Sequence, residues 1–193
     1  KFVQAGISYQ TVKNAILDTG TAQEGTDNAI VIYHDNFYKN IPTMQVMVAA
    51  TPTIGIWYPR LTLALVKQWL TMESLGEEIK LNQALPVIQF GNTLTLPKGF
   101  TLNCDYTFQG KGDSRVYRLQ KATNTLNASI RKSFLKNALA VEVFANNILD
   151  DEATETRIYS KVYSLRQWSN RSMRTYGITL RYNFNTTQSK YKG

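Results

Sequence analysis

A strict alternation of apolar and polar residues is the feature that most constrains this chain. Within residues 100–109, five apolar or aromatic positions alternate with five polar ones: Phe100, Leu102, Cys104, Tyr106 and Phe108 against Thr101, Asn103, Asp105, Thr107 and Gln109. Successive side chains of a β-strand point to opposite faces, so this pattern predicts a strand with one apolar face. Similar segments occur at 3–17, 30–51 with a break near Pro42, 61–69, 88–96, 125–131, 138–148 and 176–184. The sequence therefore predicts an all-β fold of about eight strands.

The predicted connections between these strands alternate in length. Residues 57–60, 97–99 and 135–137 form short turns, whereas 18–28, 73–83, 110–116 and 150–170 are longer and more polar. Short turns on one rim and long loops on the other are typical of bacterial outer-membrane barrels. No window approaches the ~20 consecutive apolar residues of a membrane-spanning helix, which excludes a helical membrane protein. The pattern thus favours an antiparallel transmembrane β-barrel.

The two faces of the strands predict two environments. The polar faces carry mostly Thr, Asn, Gln, Ser and Gly, which suits a wet lumen better than a fully exposed surface. The predicted lumen-facing residues are Asn103, Asp105, Arg131, Glu142 and Arg181. The predicted lipid-facing residues are Leu102, Tyr106, Val141, Val143, Ile178 and Leu180. This assignment fails if Leu102, Val141 and Leu180 point into a closed, water-free core.

Composition argues against several other classes. The net charge of +8 is spread over many segments, so nucleic acid is not an expected partner. His34 is the only histidine and Cys104 the only cysteine, and neither belongs to a catalytic triad or a metal-ligand pattern. Residues 150–152 with Glu155 lack the spacing of a calcium loop and are interpreted as a solvated charge cluster. We expect no enzyme activity, no catalytic or metal-ligating residues and no cofactor.

The last predicted strand resembles the C-terminal β-signal by which the insertion machinery of the outer membrane recognises its substrates. The residues that fit the signal are Thr175, Gly177, Leu180, Tyr182 and Phe184. Together with Leu96-Pro97-Lys98-Gly99-Phe100, residues 130–135 and 143–150, this ending resembles the barrel of TonB-dependent receptor-like proteins of the Bacteroidetes, in the outer membrane protein beta-barrel family. The strand is followed by a polar segment, residues 185–193. We therefore predict two regions, a barrel segment at 1–184 and a C-terminal tail at 185–193.

This resemblance implies a larger barrel of near 22 strands, with an N-terminal plug and a short TonB-binding segment. Such receptors import bulky solutes, so the chain would be a barrel segment that cannot transport alone. The implied partners are outer-membrane lipid, the insertion machinery and, through the plug of the parent protein, the TonB system. Residues 1–7 already alternate like a strand and carry no export signal, so we expect the native N-terminus to lie upstream. The sequence does not identify the solute.

Two alternatives remain open at this point. A self-contained eight-stranded structural barrel would pair residues 3–9 with 176–184, whereas free edges would favour a missing remainder. A soluble ligand-binding β-barrel would be a monodisperse monomer without detergent.

Overall fold

Strands make up most of the computed structural model, which describes residues 2–22, 30–36, 39–161, 163–170 and 174–184. The described residues form no helix long and apolar enough to cross a membrane. Two single 3-10 turns occur, at Pro97–Gly99 and Leu135–Asn137. The strands are β1 (Val3–Val12), β2 (Ile16–Ala22), β3 (Ile30–Asn36), β4 (Ile41–Ala50), β5 (Trp57–Gln68), β6 (Leu70–Ser74), β7 (Glu77–Leu81), β8 (Leu85–Leu96), β9 (Phe100–Gln109), β10 (Gly112–Ser114), β11 (Tyr117–Leu119), β12 (Thr123–Phe134), β13 (Leu139–Asn146), β14 (Thr154–Tyr159), β15 (Ser164–Ser169) and β16 (Thr175–Tyr182).

The eight longer strands form one antiparallel sheet, called the wall below. Its order is β1-β4-β5-β8-β9-β12-β13-β16, so each wall strand pairs with the next one along the chain. The connections between wall strands alternate between short turns (51–56, 97–99, 135–138) and long connections (13–40, 69–84, 110–122, 147–174). The long connections therefore meet at one rim, as the sequence predicts.

The pairing register separates the two kinds of side chain onto opposite faces of the wall. One row of directly opposed residues is wholly apolar: Leu94, Leu102, Ile130, Val143 and Ile178. The neighbouring row, which points to the other face, is wholly polar: Thr95, Thr101, Arg131, Glu142 and Thr179. A slip of one residue would exchange the two rows, so the period of two fixes the register of the wall.

No second layer covers the apolar face of the wall among the described residues. Ile178 is 73% exposed and Leu180 69% exposed, while Leu102 and Val141 are partly exposed. The closed, water-free core that would contradict the lipid-facing assignment is therefore not present at these positions. An apolar surface that spans a whole sheet marks contact with a membrane or another protein.

Asn92 is a polar exception on the apolar face, and a neighbouring tryptophan donates a hydrogen bond to its side-chain oxygen. The indole Nε1 of Trp57 donates a hydrogen bond of 3.0 Å to Asn92 Oδ1 across the β5–β8 pair. A polar group without a partner costs several kcal/mol in a lipid environment, on the order of 2–7 kcal/mol. Trp57 thus allows an amide to lie among apolar side chains.

The buried hydrophobic cluster lies in the long connections, apart from Ile41 at the start of β4. Its members come from, or border, each of the four long connections: Ala15, Ile41, Leu70, Met72, Leu81, Val116 and Tyr159. The third and fourth connections contribute a four-stranded sheet in the order β10-β11-β14-β15, and the second forms the β6–β7 hairpin. We call this four-stranded sheet and this hairpin together the cap. The chain therefore buries its side chains mainly at one rim.

Several sequence-based boundaries were wrong for identifiable reasons. Residues 57–60, predicted as a turn, begin β5, and the turn lies at 51–56 with Gly55 at φ +60°. Pro59 suggested a turn because proline has no backbone N–H to donate. The pairing of β4 with β5 ends at Leu61, however, so Pro59 lies outside that paired region and removes no hydrogen bond to β4. The break expected near Pro42 falls before β4, and Pro42 itself lies in that strand.

The segments predicted as long loops also contain strands. Parts of β2, β6, β7, β10, β14 and β15 lie in the stretches 18–28, 73–83, 110–116 and 150–170. The segment 3–17 is divided between β1 and β2, and the last strand ends at Tyr182, two residues earlier than expected. The proposed tail, residues 185–193, lies outside the described residues, and the division of the chain at residue 184 stays a prediction.

Candidate functional site

Side chains on the polar face of the wall form hydrogen bonds from strand to strand. Thr93 Oγ1 donates to Asn103 Oδ1 at 2.9 Å, and Asn103 Nδ2 donates to Ser129 Oγ at 3.3 Å. These bonds connect β8, β9 and β12. The register places the predicted residues Asn103, Asp105, Arg131, Glu142 and Arg181 on this same face. Whether the face lines a lumen stays a prediction.

An ion pair crosses this face above a glycine. Arg60 Nη2 lies 3.2 Å from Asp105 Oδ1, and the two residues flank Gly91 in one cross-strand row. A Cβ atom on Gly91 would lie 2.6 Å from Asp105 Oδ1, so a larger residue would require the side chains of the pair to shift. The side chains are 60% and 47% exposed, which limits the contribution of the pair to about 1 kcal/mol or less. Sequence analysis missed Arg60 because it lay in the wrongly predicted turn; the alternation of residues 57–67 could have revealed it.

Gly177, the glycine of the proposed β-signal, lies in the terminal strand β16 next to an aromatic ring. A Cβ atom on Gly177 would lie 2.4 Å from the ring of Phe144, which covers the glycine from the neighbouring strand. Thr175 Oγ1 accepts a hydrogen bond of 3.2 Å from Asn146 Nδ2. Aromatic side chains commonly cover glycines across a strand pair in this way. Gly177 therefore completes the packing of Phe144 on the polar face.

The remaining signal residues lie on or just beyond the apolar face. Leu180 and Tyr182 alternate with the polar residues of β16, and Phe184 follows the end of the strand with 86% of its surface exposed. The rings of Tyr182 and Phe184 pack edge to face with centroids 4.7 Å apart. Recognition of this strand by an insertion machinery stays a prediction.

We expect Gly177→Val to destabilise the wall by about 1–3 kcal/mol, because the new side chain must displace the ring of Phe144. Gly6→Val is the matched control, since Gly6 also lies within a wall strand but no atom approaches its Cβ position within 4 Å. Urea unfolding of both variants in detergent, followed by circular dichroism, measures the difference. Equal stability of the two variants would contradict this role of Gly177.

Gln68, the last residue of β5, joins the cap to the wall through side-chain hydrogen bonds. Its side-chain Oε1 accepts a hydrogen bond of 2.6 Å from the Arg115 N–H, and its Nε2 donates to the carbonyl oxygens of Arg115 at 2.8 Å and Leu81 at 3.2 Å. The side chain thus pairs with the backbone of Arg115 as a neighbouring strand would. Gln68 is buried, and these bonds satisfy its amide.

A buried ion pair joins the second and third long connections. Arg118 donates to Asp113 through Nε at 2.8 Å and Nη2 at 3.1 Å, and Asp113 Oδ2 also accepts the Gln83 N–H at 2.8 Å. Arg118 Nη2 reaches the Lys80 carbonyl at 2.7 Å. The Asp113 side chain has no exposed surface, and its hydrogen bond raises the pKa of Arg118. Both charges are therefore compensated inside the cap.

The acidic residues of the fourth connection are held by neighbouring side chains. Asp151 accepts hydrogen bonds from Asn124 Nδ2 at 2.6 Å and Lys121 Nζ at 2.7 Å, which lower the pKa of its carboxyl group. Glu152 accepts the Thr125 hydroxyl at 3.0 Å. Within the described ranges, no three His, Cys, Asp or Glu side chains gather into a group that could hold a metal ion. The acidic cluster tethers the connection to the start of β12.

A cavity of about 570 Å³ lies where the cap meets the polar face of the wall. Gln109 and Leu85 border it from the wall, and one face of the four-stranded cap sheet borders it from above. This lining includes four hydroxyl groups, two amides and one phenol: Ser114, Thr154, Thr156, Ser169, Gln109, Gln167 and Tyr117. Among the described residues, no lysine or arginine lines the cavity, and Glu152 is the only charged residue of this lining. Leu85, Leu119 and Ile158 add an aliphatic part to this polar lining.

The wall has one apolar and one polar face, and its connections alternate between short and long. These features are those of a transmembrane β-barrel of the outer-membrane type. Residues 1–182 match the outer membrane protein beta-barrel family, and the chain belongs to that family. No curated protein and no solved structure matches the chain significantly. The chain is accordingly an outer-membrane β-barrel protein, located in the bacterial outer membrane. The soluble barrel is therefore set aside.

Proposed function

We propose that the wall is a contiguous part of the barrel of a TonB-dependent receptor-like transporter that imports a bulky solute. The observation that carries this proposal is the cavity between the cap and the polar face, at the rim where the long connections meet. In such a transporter the cap would receive the solute and the polar face would line its passage. Transport would need the plug and the TonB-binding segment of the parent protein, so this segment would not transport alone.

The two edges of the wall support a larger barrel. β1 pairs only with β4 and β16 only with β13 in the described part of the chain. Free backbone N–H and C=O groups are not tolerated in lipid, so both edges need partner strands in the membrane. In a larger barrel these partners would be further strands, whereas in a self-contained barrel β1 and β16 would pair with each other.

The proposed partners follow from this assignment. Outer-membrane lipid would surround the apolar face of the wall, and the insertion machinery would recognise β16. The TonB system would act through the plug of the parent protein. We propose no catalytic role and no nucleic-acid partner.

A cross-linking experiment separates a larger barrel from a self-contained eight-stranded one. Cys104→Ala removes the only cysteine, after which Ser8→Cys in β1 and Thr179→Cys in β16 can be joined by a short bismaleimide. We expect no cross-link within the folded chain in outer membranes, because further strands would separate the two positions. The matched control pairs Ser8→Cys with Gln45→Cys, which are directly opposed in β1 and β4 and should cross-link. Equal yields would establish an eight-stranded barrel.

The transport assignment is tested separately in the complete protein. We expect a plug domain upstream of Lys1 and solute uptake that stops when TonB is deleted. Uptake that persists without TonB, or a reading frame without a plug, would contradict the proposal.

A further inference from the structure

The four-stranded cap sheet has one face toward the 570 Å³ cavity, and its other face carries a row of arginines. Arg118 in β11, Arg157 in β14 and Arg166 in β15 are directly opposed in the pairing register. Like charges at directly opposed positions destabilise a sheet. Such a row therefore favours the approach of negative charge, from the protein or from a ligand. We call this surface the arginine face; it also includes Gln120, Glu155, Ser164 and Trp168.

The protein compensates two of these three arginines. Arg118 pairs with the buried Asp113, and Arg166 pairs with Glu155: its Nε donates to Glu155 Oε1 at 2.8 Å, and its Nη2 lies 2.8 Å from the same oxygen. None of the ion pairs among the described residues includes Arg157. Its guanidinium is instead positioned by neutral groups, since Nε donates to Ser164 Oγ at 2.9 Å and the group lies 5.4 Å from the centre of the Tyr159 ring. Arg157 is oriented without being neutralised.

A second cavity opens at this arginine. It has a volume of about 420 Å³ and is lined by Gln120, Glu155, Arg157, Ser164 and Arg166. Trp168 lies opposite Glu155 in the register, so its indole shares the face, and it is 72% exposed. Tryptophan and arginine are both enriched among the residues that contribute most binding energy at protein interfaces.

We propose that the arginine face binds an anionic saccharide through its carboxylate or phosphate groups. A guanidinium binds such oxyanions with two parallel hydrogen bonds, and Arg157 is available for this contact. The amide of Gln120 and the hydroxyl of Ser164 can pair with sugar hydroxyl groups. The flat indole of Trp168 offers an apolar surface to the C–H face of a sugar ring. This chemistry differs from that of the 570 Å³ cavity, in which no lysine or arginine is found among the described lining residues, and the proposal does not depend on transport.

Two sources could supply an anionic saccharide at the outer-membrane surface. One is a soluble acidic oligosaccharide, and the other is the phosphorylated core saccharide of lipopolysaccharide in the same membrane. Titration of the purified protein in detergent with tetragalacturonate and, separately, with deacylated core oligosaccharide distinguishes them. We expect saturable quenching of tryptophan fluorescence by at least one of these probes and none by neutral maltotetraose.

The double variant Arg157→Gln with Arg166→Gln should weaken this binding by roughly tenfold or more, because charge-assisted hydrogen bonds are lost. Lys98→Gln is the control, since it removes one positive charge at the opposite rim. Trp168→Phe should abolish most of the quenching, and calorimetry then follows binding directly. Unchanged circular dichroism shows that the variants fold. Failure of both probes to bind, binding by the double variant equal to that of Lys98→Gln, or equal binding of maltotetraose would overturn the proposal.

Discussion

Ile178→Arg is expected to destabilise the wall by about 2–4 kcal/mol in lipid vesicles, the cost of an arginine on the lipid face near the bilayer midplane. Ile178 lies in the middle of β16, in the apolar row that crosses the wall, and is 73% exposed. In water, an arginine at so exposed a position would change stability little, within about 0.5 kcal/mol. The size of the effect therefore reports whether lipid or water covers this face.

The matched control for this variant is Thr179→Arg, one residue further along the same strand. Thr179 points to the polar face, directly opposite Glu142, so the new arginine would lie among polar groups next to a carboxylate. We expect a change within about 0.5 kcal/mol, typical of a tolerated surface substitution. Equilibrium unfolding in guanidinium chloride, with the protein inserted in vesicles, measures both variants. Similar losses of stability for Ile178→Arg and Thr179→Arg would contradict the assignment of the apolar face to lipid.

Asp113→Ala is expected to cost the cap about 3–5 kcal/mol, because it leaves Arg118 partly buried without its counter-charge. Asp113 also accepts the Gln83 N–H, so the variant breaks the link between the second and third connections. Hydrogen exchange of the amides in residues 69–84 and 110–122 should rise sharply, while exchange in the wall strands stays slow. The effect should therefore be confined to the cap.

Two further variants sharpen this prediction. Glu78→Ala removes an exposed pair with Lys80, 3.5 Å apart, and should cost about 1 kcal/mol or less. The double variant Asp113→Leu with Arg118→Met removes both charges and should recover much of the loss, as apolar replacements of buried ion pairs often do. If Asp113→Ala behaves like Glu78→Ala, the buried pair does not hold the cap together.

The wall was largely predictable because its signal is local and repeated. The β9 segment Phe100–Gln109 coincides with the predicted strand, and the residues assigned to each face do share a face in the register. A period of two needs no knowledge of distant residues, since each strand has the same environments on its two sides. Family membership could also be inferred from the terminal strand together with residues 96–100, 130–135 and 143–150.

The cap could not be predicted in the same way. β10 and β11 are three residues each, too short for any periodic pattern, and they form strands only because they pair with each other and with β14. The contacts of Gln68 with Arg115 and of Asp113 with Gln83 join residues 47 and 30 positions apart. Such contacts depend on how four connections meet at one rim, which no single segment encodes.

The position of the buried residues reverses the usual rule about where a protein accepts changes in chain length. Loops normally tolerate insertions and deletions better than the elements they connect. Here the largest fully buried side chains, Leu81, Asp113 and Ser160, all lie in the long connections, whereas the turn at Pro97–Gly99 buries none. An insertion for a tag or a reporter therefore belongs at the short turns. Variation in length among related chains should concentrate at that rim.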